Sequence, residues 1–411
     1  MLSWASRFDI CCFLDDHDYA LPLHRFECLL ATGAAAHINA KAGQAFDDLK
    51  KFAADHKDWL FGHFSYDLVA ETEQAGPPAV ANPIGFPDLF FFVPETVIQL
   101  KEGSIRIGCL STDPAAVFTD ITRATIESPP KTAAVPLQPV ISRQEYLDTV
   151  RALQQHILRG DCYEINFCQE FFACPAPIDP LHTWFSLSKA SPNPFSAFYR
   201  LGDSYLLCAS PERYLQRTGN TLFSQPIKGT SPRFPGDPRA DDLSGDDLYN
   251  SPKDRAENVM VVDLVRNDLS KICLPGSVKV EELFGIYHFP QVHQMISTIS
   301  GEVPPALDVA DIVRATFPMG SMTGAPKKRV VELIRRYERA PRGLFSVAVG
   351  YITPEGDFDF NVVIRSLFYE AKTQYLSYQV GSGITFYSDP EAEYEECLVK
   401  AEGIRKALAL I

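Results

Sequence analysis

The sequence lacks the features that would place it in or across a membrane. No apolar run among its 411 residues approaches the roughly 20 residues needed to span a bilayer. The first residues, MLSWASRFDICCFLDDHDY, carry acids where a signal peptide would have an apolar segment and a small-residue cleavage site. We therefore expect a soluble globular protein with no membrane contact and a cytoplasmic location.

Paired cysteines and a basic surface are also missing. The ten cysteines are scattered and include no C-x-x-C pair, so we expect reduced core residues rather than a disulfide framework or a zinc site. The formal net charge is −14 and no basic cluster exceeds PKKR or RRYER, which argues against a nucleic-acid-binding surface. An anionic substrate would therefore need local cations from arginine, lysine or a metal.

The patterning that is present is typical of a large α+β protein. A proline-rich stretch at 127–142 predicts a linker between an N-terminal part, residues 1–128, and a longer part, residues 140–411. We expect the two parts to form one intertwined globule. Strand-like and helical segments come in runs without a strict βαβ rhythm, which favours antiparallel sheets over a doubly wound fold.

Helix boundaries are marked most clearly in the longer part. Ser142 followed by Glu145 predicts a capping box, and Gly160 predicts the end of that helix. Ser251 and Pro252 predict the start of a second helix, whose apolar run indicates burial on most sides. Near the C-terminus we expect strands over 374–380 and 383–387, followed by a helix over 389–409.

A single lysine stands out in SQPIKGTSPR, residues 224–233. Lys228 follows an apolar residue and precedes Gly229, where the backbone can approach a ligand closely. It is either an exposed lysine at a strand end or a nucleophile whose pKa is lowered by burial or by nearby cations, since only the neutral amine attacks.

Several other charged residues have both a structural and a functional interpretation. Glu257 lies on the apolar helix and either pairs with a neighbouring base or binds a metal. Glu393 and Glu396 share one helical face, which suits either an acidic first turn or, together with Glu257, a Mg²⁺ site. Arg365 lies in an apolar strand and either pairs with a structural acid or grips a substrate carboxylate.

Eight motifs between residues 160 and 405 occur in the order found in chorismate-utilising enzymes. The set most resembles the aminodeoxychorismate synthase component I family, and the motifs are GDCYEINF, SPERY, PIKGT, KDRAENVMVVDLVRND, TFPMGSMTGAPK, NVVIRS, GSGIT and EAEYEECLVKA. The resemblance implies an anthranilate-synthase-like α+β fold, an antiparallel β-sandwich core wrapped by helices. The longer part would then be the chorismate-binding catalytic part, and the N-terminal part a scaffold packed on it.

The resemblance also implies a reaction. Anthranilate synthases resemble this sequence but have alanine at the position of Lys228, so PIKGT points to a transferase that aminates chorismate at C4 for para-aminobenzoate and folate synthesis. Lys228 would attack C2 and form a covalent adduct, ammonia would add at C4, and Glu212 would act as general acid/base. Mg²⁺ would be the cofactor.

Further positions carry over from matching motifs. Glu257, Glu393 and Glu396 match the Mg²⁺ ligands of the family. The resemblance implies substrate contacts for Gly229, Thr230, Tyr351, Arg365, Gly381, Gly383 and Lys400. No cysteine lies in a glycine-rich nucleophile elbow with a plausible glutaminase His-Glu pair, so we expect ammonia from a separate glutamine amidotransferase subunit.

Two rival functions remain, and the chain departs from the family pattern at two places. The rivals are an anthranilate or salicylate/isochorismate synthase, and a catalytically silent chorismate-binding regulatory subunit. Gln294 stands where relatives often have histidine, with His293 one residue earlier. Asp16 stands where many relatives have the serine of a tryptophan pocket, so the resemblance does not extend to tryptophan binding.

Overall fold

The computed structural model describes residues 1–19, 23–76, 80–125 and 135–409, which form two large β-sheets with helices around them. The strands are β1 (Ile10–Asp15), β2 (Cys28–Thr32), β3 (Ala36–Ala40), β4 (Leu60–Phe64), β5 (Leu89–Val93), β6 (Thr96–Lys101), β7 (Ser104–Cys109), β8 (Gln138–Pro139), β9 (Glu164–Ala173), β10 (Phe195–Leu201), β11 (Ser204–Ser210), β12 (Arg213–Thr218), β13 (Thr221–Gln225), β14 (Ile227–Pro232), β15 (Lys279–His288), β16 (Val292–Glu302), β17 (Gly324–Ala325), β18 (Ala348–Ile352), β19 (Phe358–Asn361), β20 (Ser366–Glu370) and β21 (Tyr375–Ile384). The α-helices are α1 (Leu2–Ala5), α2 (Ala45–Asp55), α3 (Val69–Thr72), α4 (Pro114–Arg123), α5 (Arg143–Leu158), α6 (Pro180–Ala190), α7 (Pro238–Asn250), α8 (Pro252–Ser270), α9 (Val309–Thr316), α10 (Lys327–Tyr337), α11 (Pro390–Lys400) and α12 (Glu402–Ala409).

Both sheets are antiparallel. The first has the order β17-β9-β21-β20-β11-β10-β1-β2-β6-β7, with β8 beside β9. The second has the order β14-β16-β13-β12-β19-β18-β4-β5-β3, with β15 beside β16. The structure thus confirms an α+β fold with antiparallel sheets.

Strands from the early and late parts of the sequence share both sheets, with the early strands grouped at one end of each sheet. The early strands β1, β2, β6 and β7 continue the first sheet beyond β10, while β4, β5 and β3 continue the second beyond β18. Residues 126–134, which overlap the first half of the predicted linker, lie outside the described residues, so the division at 128–140 stays a prediction.

An apolar core rich in aromatic side chains lies between the sheets. Phe86, just before β5 of the second sheet, is buried and stacks on Tyr199 of the first sheet, with 5.7 Å between the ring centroids. His63 of the second sheet meets the Tyr199 hydroxyl of the first, with 3.0 Å between the imidazole Nδ1 and the phenol oxygen. Each buried phenylalanine contributes about 1.5–3 kcal/mol relative to an exposed one, so this core holds the two sheets together.

The sequence predicted where the helices begin better than how deeply they are buried. Ser142 and Glu145 form the expected capping box of α5, and the Ser251 hydroxyl accepts from the Asp254 amide at the start of α8. The prediction that α8 is buried on most sides is wrong: Val259 is 41% exposed, because the helix packs one face against β14 and β16.

The C-terminal elements also differ from the sequence prediction. A break at Ala401 divides the predicted helix over 389–409 into α11 and α12, and the two predicted strands are one strand, β21. All ten cysteines are free thiols, as their scattered spacing predicts, but Cys174 is exposed rather than in the core. None of the helices in the described part of the chain has the length and apolar character that a bilayer crossing needs.

Candidate active site

A cavity of about 770 Å³ is lined by β9 and β21 of the first sheet, β14 and β16 of the second, and helices α8 and α11. This volume is in the range of ligand-binding pockets. Of the residues that the sequence singles out, the cavity is lined by Glu212, Lys228, Gly229, Thr230, Glu257, Arg365, Gly381, Gly383, Glu393, Glu396 and Lys400. Residues almost two hundred positions apart are therefore brought to one site.

The structure corrects the prediction for Tyr351, which does not line this cavity. On β18 it lies opposite Phe61 of β4, and its ring packs against Phe61 and Trp59 at centroid distances of 6.1 and 5.8 Å. It lines instead a separate cavity of about 60 Å³, together with Asp16 and Asp359. Pairing within the second sheet thus places Tyr351 apart from the Lys228 site.

Lys228 lies at a break in strand register. The pairing of β14 with β16 shifts between Ile227 and Thr230, and such a bulge re-aims side chains. Gly229 has a φ of 97°, a conformation that favours glycine. The Lys228 amine donates to the Glu164 carboxylate of β9, with 2.8 Å between Nζ and Oε1. The lysine is thus held in a buried ion pair rather than exposed at a strand end.

The charge state of Lys228 differs from the sequence prediction. Burial opposes protonation, but the negative charges of Glu164, Glu257 and Glu396 outweigh it and raise the pKa of Lys228 above its usual value. The predicted lowering of this pKa is therefore wrong for the chain alone. A reaction at Nζ must include removal of a proton from the ammonium group.

Glu212 is a buried acid in the same cavity and is 4% exposed. Burial raises the pKa of Glu212 to about 7, although a hydrogen bond to Ser321 and the positive charges of Lys228 and Arg365 limit the rise. A carboxyl group with a pKa near neutrality can donate or accept a proton at physiological pH, which is the property of a general acid/base.

The guanidinium group of Arg365 places a positive charge in the lining of the cavity. Its backbone has a φ of 54°, uncommon for a non-glycine residue, and burial lowers its pKa. Among the described residues none forms an ion pair with its guanidinium, so the alternative of a structural acid partner is not favoured. The geometry instead suits a carboxylate-bearing ligand.

Three carboxylates line the α8 and α11 side of the cavity. Glu393 is 3% exposed, whereas Glu396 pairs with Lys400 at 2.7 Å and Glu257 lies 3.9 Å from Lys253. Lys400 also donates to the Gly381 carbonyl at 3.0 Å. Within the ranges that the structure describes, no three His, Cys, Asp or Glu residues converge closely enough to hold a metal ion.

The chemistry of this donor set nevertheless fits a hard divalent cation. Burial raises the pKa of Glu257, which shows that its negative charge lacks full compensation. Burial also opposes ionisation of Glu396, but Lys400 outweighs it and lowers the pKa. Carboxylate oxygens are the ligands Mg²⁺ prefers, so Glu257, Glu393 and Glu396 could hold this ion after side-chain rotation.

The absence of a side chain at Gly383 leaves room for the ion pair between Lys228 and Glu164. A Cβ at this position would lie 2.6 Å from Glu164 Oε1 and 2.8 Å from Lys228 Nζ. At Gly381 a Cβ would meet Cys168 and the Phe167 carbonyl. Close packing against the backbone therefore requires glycine at Gly381, whereas a side chain at Gly383 would displace the ends of Glu164 and Lys228.

The structure adds residues to the site that the sequence did not single out. Glu164 contacts Lys228, and Asn166 and Ser321 line the cavity together with Gln294, which the sequence marks only as a departure from the family pattern. Strand alternation was an available signal, since Glu164 and Asn166 share one face of β9. The Gln294 carbonyl oxygen is buried without a hydrogen-bond partner among the described residues.

His293, by contrast, points away from the cavity. Its Nε2 lies 3.1 Å from the Asp241 carboxylate, and its Nδ1 lies 2.6 Å from His288 Nδ1. His293 thus contacts Asp241 and His288 rather than the residues around Lys228.

Comparisons with known proteins point to one family. A sequence profile described as chorismate binding enzyme matches residues 11–406. The protein named aminodeoxychorismate synthase component 1 from Salmonella typhimurium is 38% identical over 84% of this chain and 75% of its own length. Its Escherichia coli counterpart is 41% identical over 65% of this chain and 58% of its own length. The matched region spans 58% of the Klebsiella aerogenes relative of the same name.

Other relatives carry different names. A Haloarcula marismortui protein named anthranilate synthase component 1 2 is 38% identical over 65% of this chain and 50% of its own length. The crystal structure of anthranilate synthase component I from Streptococcus pneumoniae TIGR4 superimposes with a TM-score of 0.81 at 24% identity, covering 94% of this chain and 93% of that one. The structural likeness confirms the anthranilate-synthase-like fold, and the profile match over residues 11–406 shows that this chain belongs to the chorismate binding enzyme family.

Proposed function

We propose that this chain aminates chorismate at C4 with ammonia and releases 4-amino-4-deoxychorismate, as an aminodeoxychorismate synthase component 1. The observation that carries the proposal is the buried amine of Lys228 in the same cavity as the acid Glu212. The names of the bacterial relatives support it. The product would serve para-aminobenzoate and folate synthesis, and we expect the enzyme in the cytoplasm.

The proposed chemistry uses two successive displacements. The Lys228 amine forms a bond to C2, the two ring double bonds shift toward C4, and the C4 hydroxyl leaves as water with the proton of Glu212. Ammonia then adds at C4, the double bonds shift back, and the C2–nitrogen bond breaks to release Lys228. A covalent adduct thus divides one difficult substitution into two easier steps.

Positively charged groups would hold the substrate in the cavity. Arg365 has a free guanidinium for one substrate carboxylate, and Lys400 could reach a second after leaving Glu396. Gly229 and Thr230 line the cavity beside Lys228, and Gly381 and Gly383 keep the opposite wall free of side chains. These contacts would orient C2 toward Nζ.

Glu257, Glu393 and Glu396 would hold Mg²⁺ in the same cavity. When bound, this ion would attract the ring carboxylate and withdraw electron density from the diene. The negative charge of these acids is otherwise unfavourable for an anionic substrate.

Ammonia would come from a second protein. The name component 1 of the bacterial relatives implies a partner component, and we propose a separate glutamine amidotransferase subunit. An ammonium salt should replace this partner in the assay, so the chain can be tested alone.

Product identity tests the proposed function directly. The purified chain is given chorismate, Mg²⁺ and an ammonium salt at mildly alkaline pH, and the products are identified by mass spectrometry and absorbance. We expect 4-amino-4-deoxychorismate. Anthranilate would favour the function named for the Haloarcula relatives. Salicylate or isochorismate would favour those synthases, and no product despite chorismate binding would favour a silent subunit.

The metal assignment predicts an effect of Glu257→Gln on substrate affinity. Losing one negative oxygen donor should weaken Mg²⁺-dependent chorismate binding at least about tenfold. Binding is measured by titration calorimetry over a series of Mg²⁺ concentrations. Asp263→Asn is the matched control, because this exposed acid lies on the same helix α8 and pairs with Arg266. Equal affinities of wild type and Glu257→Gln at every Mg²⁺ concentration would rule out the metal role.

The close packing at Gly383 predicts that Gly383→Ala impairs catalysis more than folding. The added methyl group displaces the ends of the Lys228 and Glu164 side chains, which are flexible, so the fold should tolerate it. A displaced nucleophile should lower the amination rate at least about tenfold. Thermal unfolding and product formation are compared with Gly236→Ala, whose Cβ would meet no atom within 4 Å. Unchanged amination by Gly383→Ala would contradict the assigned position of the nucleophile.

A further inference from the structure

Glu164 forms a contact with Lys228 that neither the substrate nor the metal assignment explains. It is 3% exposed, does not line the cavity, and lies behind the Lys228 amine with 2.8 Å between Oε1 and Nζ. Its second oxygen, Oε2, is buried without a hydrogen-bond partner among the described residues. A buried carboxylate that is only half satisfied is unfavourable for stability alone.

We propose that Glu164 accepts the proton that Lys228 must lose before it attacks, and returns this proton when Lys228 is released. The inference rests on the proposed function, because it needs Lys228 as the nucleophile. Among the described residues Glu164 is the only acid in ion-pair contact with Nζ. No water or second side chain is needed between donor and acceptor at this distance.

Every proton that Glu164 and Glu212 transfer is returned within one turnover. Glu164 takes one proton from the Lys228 ammonium and becomes a neutral acid, and the neutral amine forms its bond to C2 and becomes a secondary ammonium. When ammonia adds at C4, the C2–nitrogen bond breaks with its electron pair on nitrogen, so Lys228 leaves as a neutral amine. It then takes back the proton from Glu164. The hydroxyl that leaves C4 takes its proton from Glu212, which can recover one from the new C4 ammonium group.

The surroundings of the pair explain why an internal acceptor would help. Lys228 also faces the negative charges of Glu257 on α8 and Glu396 on α11, and Glu212 interacts with it from the β11–β12 connection. These charges hold the proton on Lys228 when the acceptor is solvent. Transfer within the ion pair neutralises both partners without changing the total charge of the site, so it does not require a higher pH.

Glu164→Gln tests this role because glutamine can keep a hydrogen bond to Nζ but cannot take its proton. With chorismate and Mg²⁺ and without ammonium, formation of the Lys228 adduct is followed by rapid quenching and intact-protein mass spectrometry from pH 6 to pH 8. We expect the variant to be at least about tenfold slower at pH 7. The ratio of wild-type to variant rate should fall about tenfold for each pH unit, since only the variant must release the proton to solvent.

A second readout does not depend on turnover. Competitive acetylation of Lys228 by acetic anhydride, quantified by peptide mass spectrometry, reports the fraction of neutral amine. Removing the Glu164 charge should move the labelling midpoint of Lys228 to lower pH. The variant should therefore combine a more readily deprotonated lysine with slower adduct formation, a combination that a simple counter-ion would not give.

Two further variants serve as controls. Glu170→Gln changes a buried glutamate on the same strand β9 that has no ion-pair contact with Lys228, and it should leave both readouts unchanged. Glu164→Asp keeps a carboxylate, and its rate ratio to wild type should stay constant with pH even if it is slower. This variant also replaces Glu164→Gln if the latter fails to fold: a ratio that varies with pH would then overturn the proposal.

The outcomes separate the two proposals. If the wild type forms the adduct and the ratio of its rate to that of Glu164→Gln is constant with pH, Glu164 is a counter-ion and the proton transfer is overturned alone. If the wild type forms neither adduct nor aminated product, the proposed function fails, and proton transfer from Lys228 fails with it.

Discussion

Replacing Lys228 by alanine should lower the rate of chorismate amination at saturating ammonium by at least about 10³-fold. Alanine cannot form the adduct at C2, so ammonia would have to displace the C4 hydroxyl directly. Chorismate binding in the presence of Mg²⁺ should change little, because Arg365 and the carboxylates of α8 and α11 remain. Product formation is measured by mass spectrometry and binding by equilibrium dialysis.

The buried ion pair requires a control for stability. Lys228→Ala leaves the Glu164 charge unpaired, and breaking a buried pair in this way costs about 3–5 kcal/mol. The double variant Lys228→Ala/Glu164→Gln removes that charge and should recover most of the stability without recovering the rate. Lys279→Ala, at an exposed position on β15, should match the wild type. Turnover at the wild-type rate in Lys228→Ala would exclude the covalent route.

Glu212→Gln should slow adduct formation about 10²- to 10⁴-fold, because glutamine cannot protonate the departing hydroxyl. Affinity for chorismate should stay within a few-fold of the wild type, since the amide occupies the same volume. Glu170→Gln is the matched control, because burial also raises the pKa of Glu170 to about 7 but this acid lies outside the cavity. Wild-type adduct formation by Glu212→Gln would remove Glu212 from the mechanism.

The same substitution should change the pH dependence of stability. The pKa of Glu212 is raised from 4.5 to about 7 on folding, so the folded state prefers the protonated acid. The contribution of Glu212 to the free energy of unfolding is fully present below pH 4.5. It is lost as the pH rises through about 7, at about 1.4 kcal/mol per pH unit. In denaturant unfolding, the free energy of unfolding of Glu212→Gln should therefore rise relative to that of the wild type by on the order of 3 kcal/mol between pH 4.5 and pH 8. A difference that is constant with pH would contradict this account.

Local and motif-borne features could be predicted from the sequence. The cap of α5 at Ser142 needs only the adjacent Glu145, so a short stretch of sequence determines it. The motifs placed Lys228, Glu257 and Arg365 in one site, and all three line the same cavity. Each of these features depends on only a few residues. These residues are close together in the sequence or belong to a recognisable motif.

Features that depend on several elements at once could not be predicted. The contact between Lys228 and Glu164 joins residues 64 positions apart and links β14 of the second sheet to β9 of the first. The pKa of Lys228 is raised because carboxylates on three different elements, β9, α8 and α11, together outweigh the effect of burial. Tyr351 was misplaced for the same reason, because its surroundings are set by pairing with Phe61 and by Trp59.

The sharing of both sheets by early and late strands has a consequence for any attempt to divide the protein. Without the strands that precede residue 125, β10 and β18 would each become an open edge with a row of unpaired backbone amides and carbonyls. Such edges recruit strands from other molecules, so the longer part, residues 140–411, should aggregate when it is expressed by itself. The early strands thus pair with the edges of β10 and β18, even though they contribute no residue to the lining of the cavity.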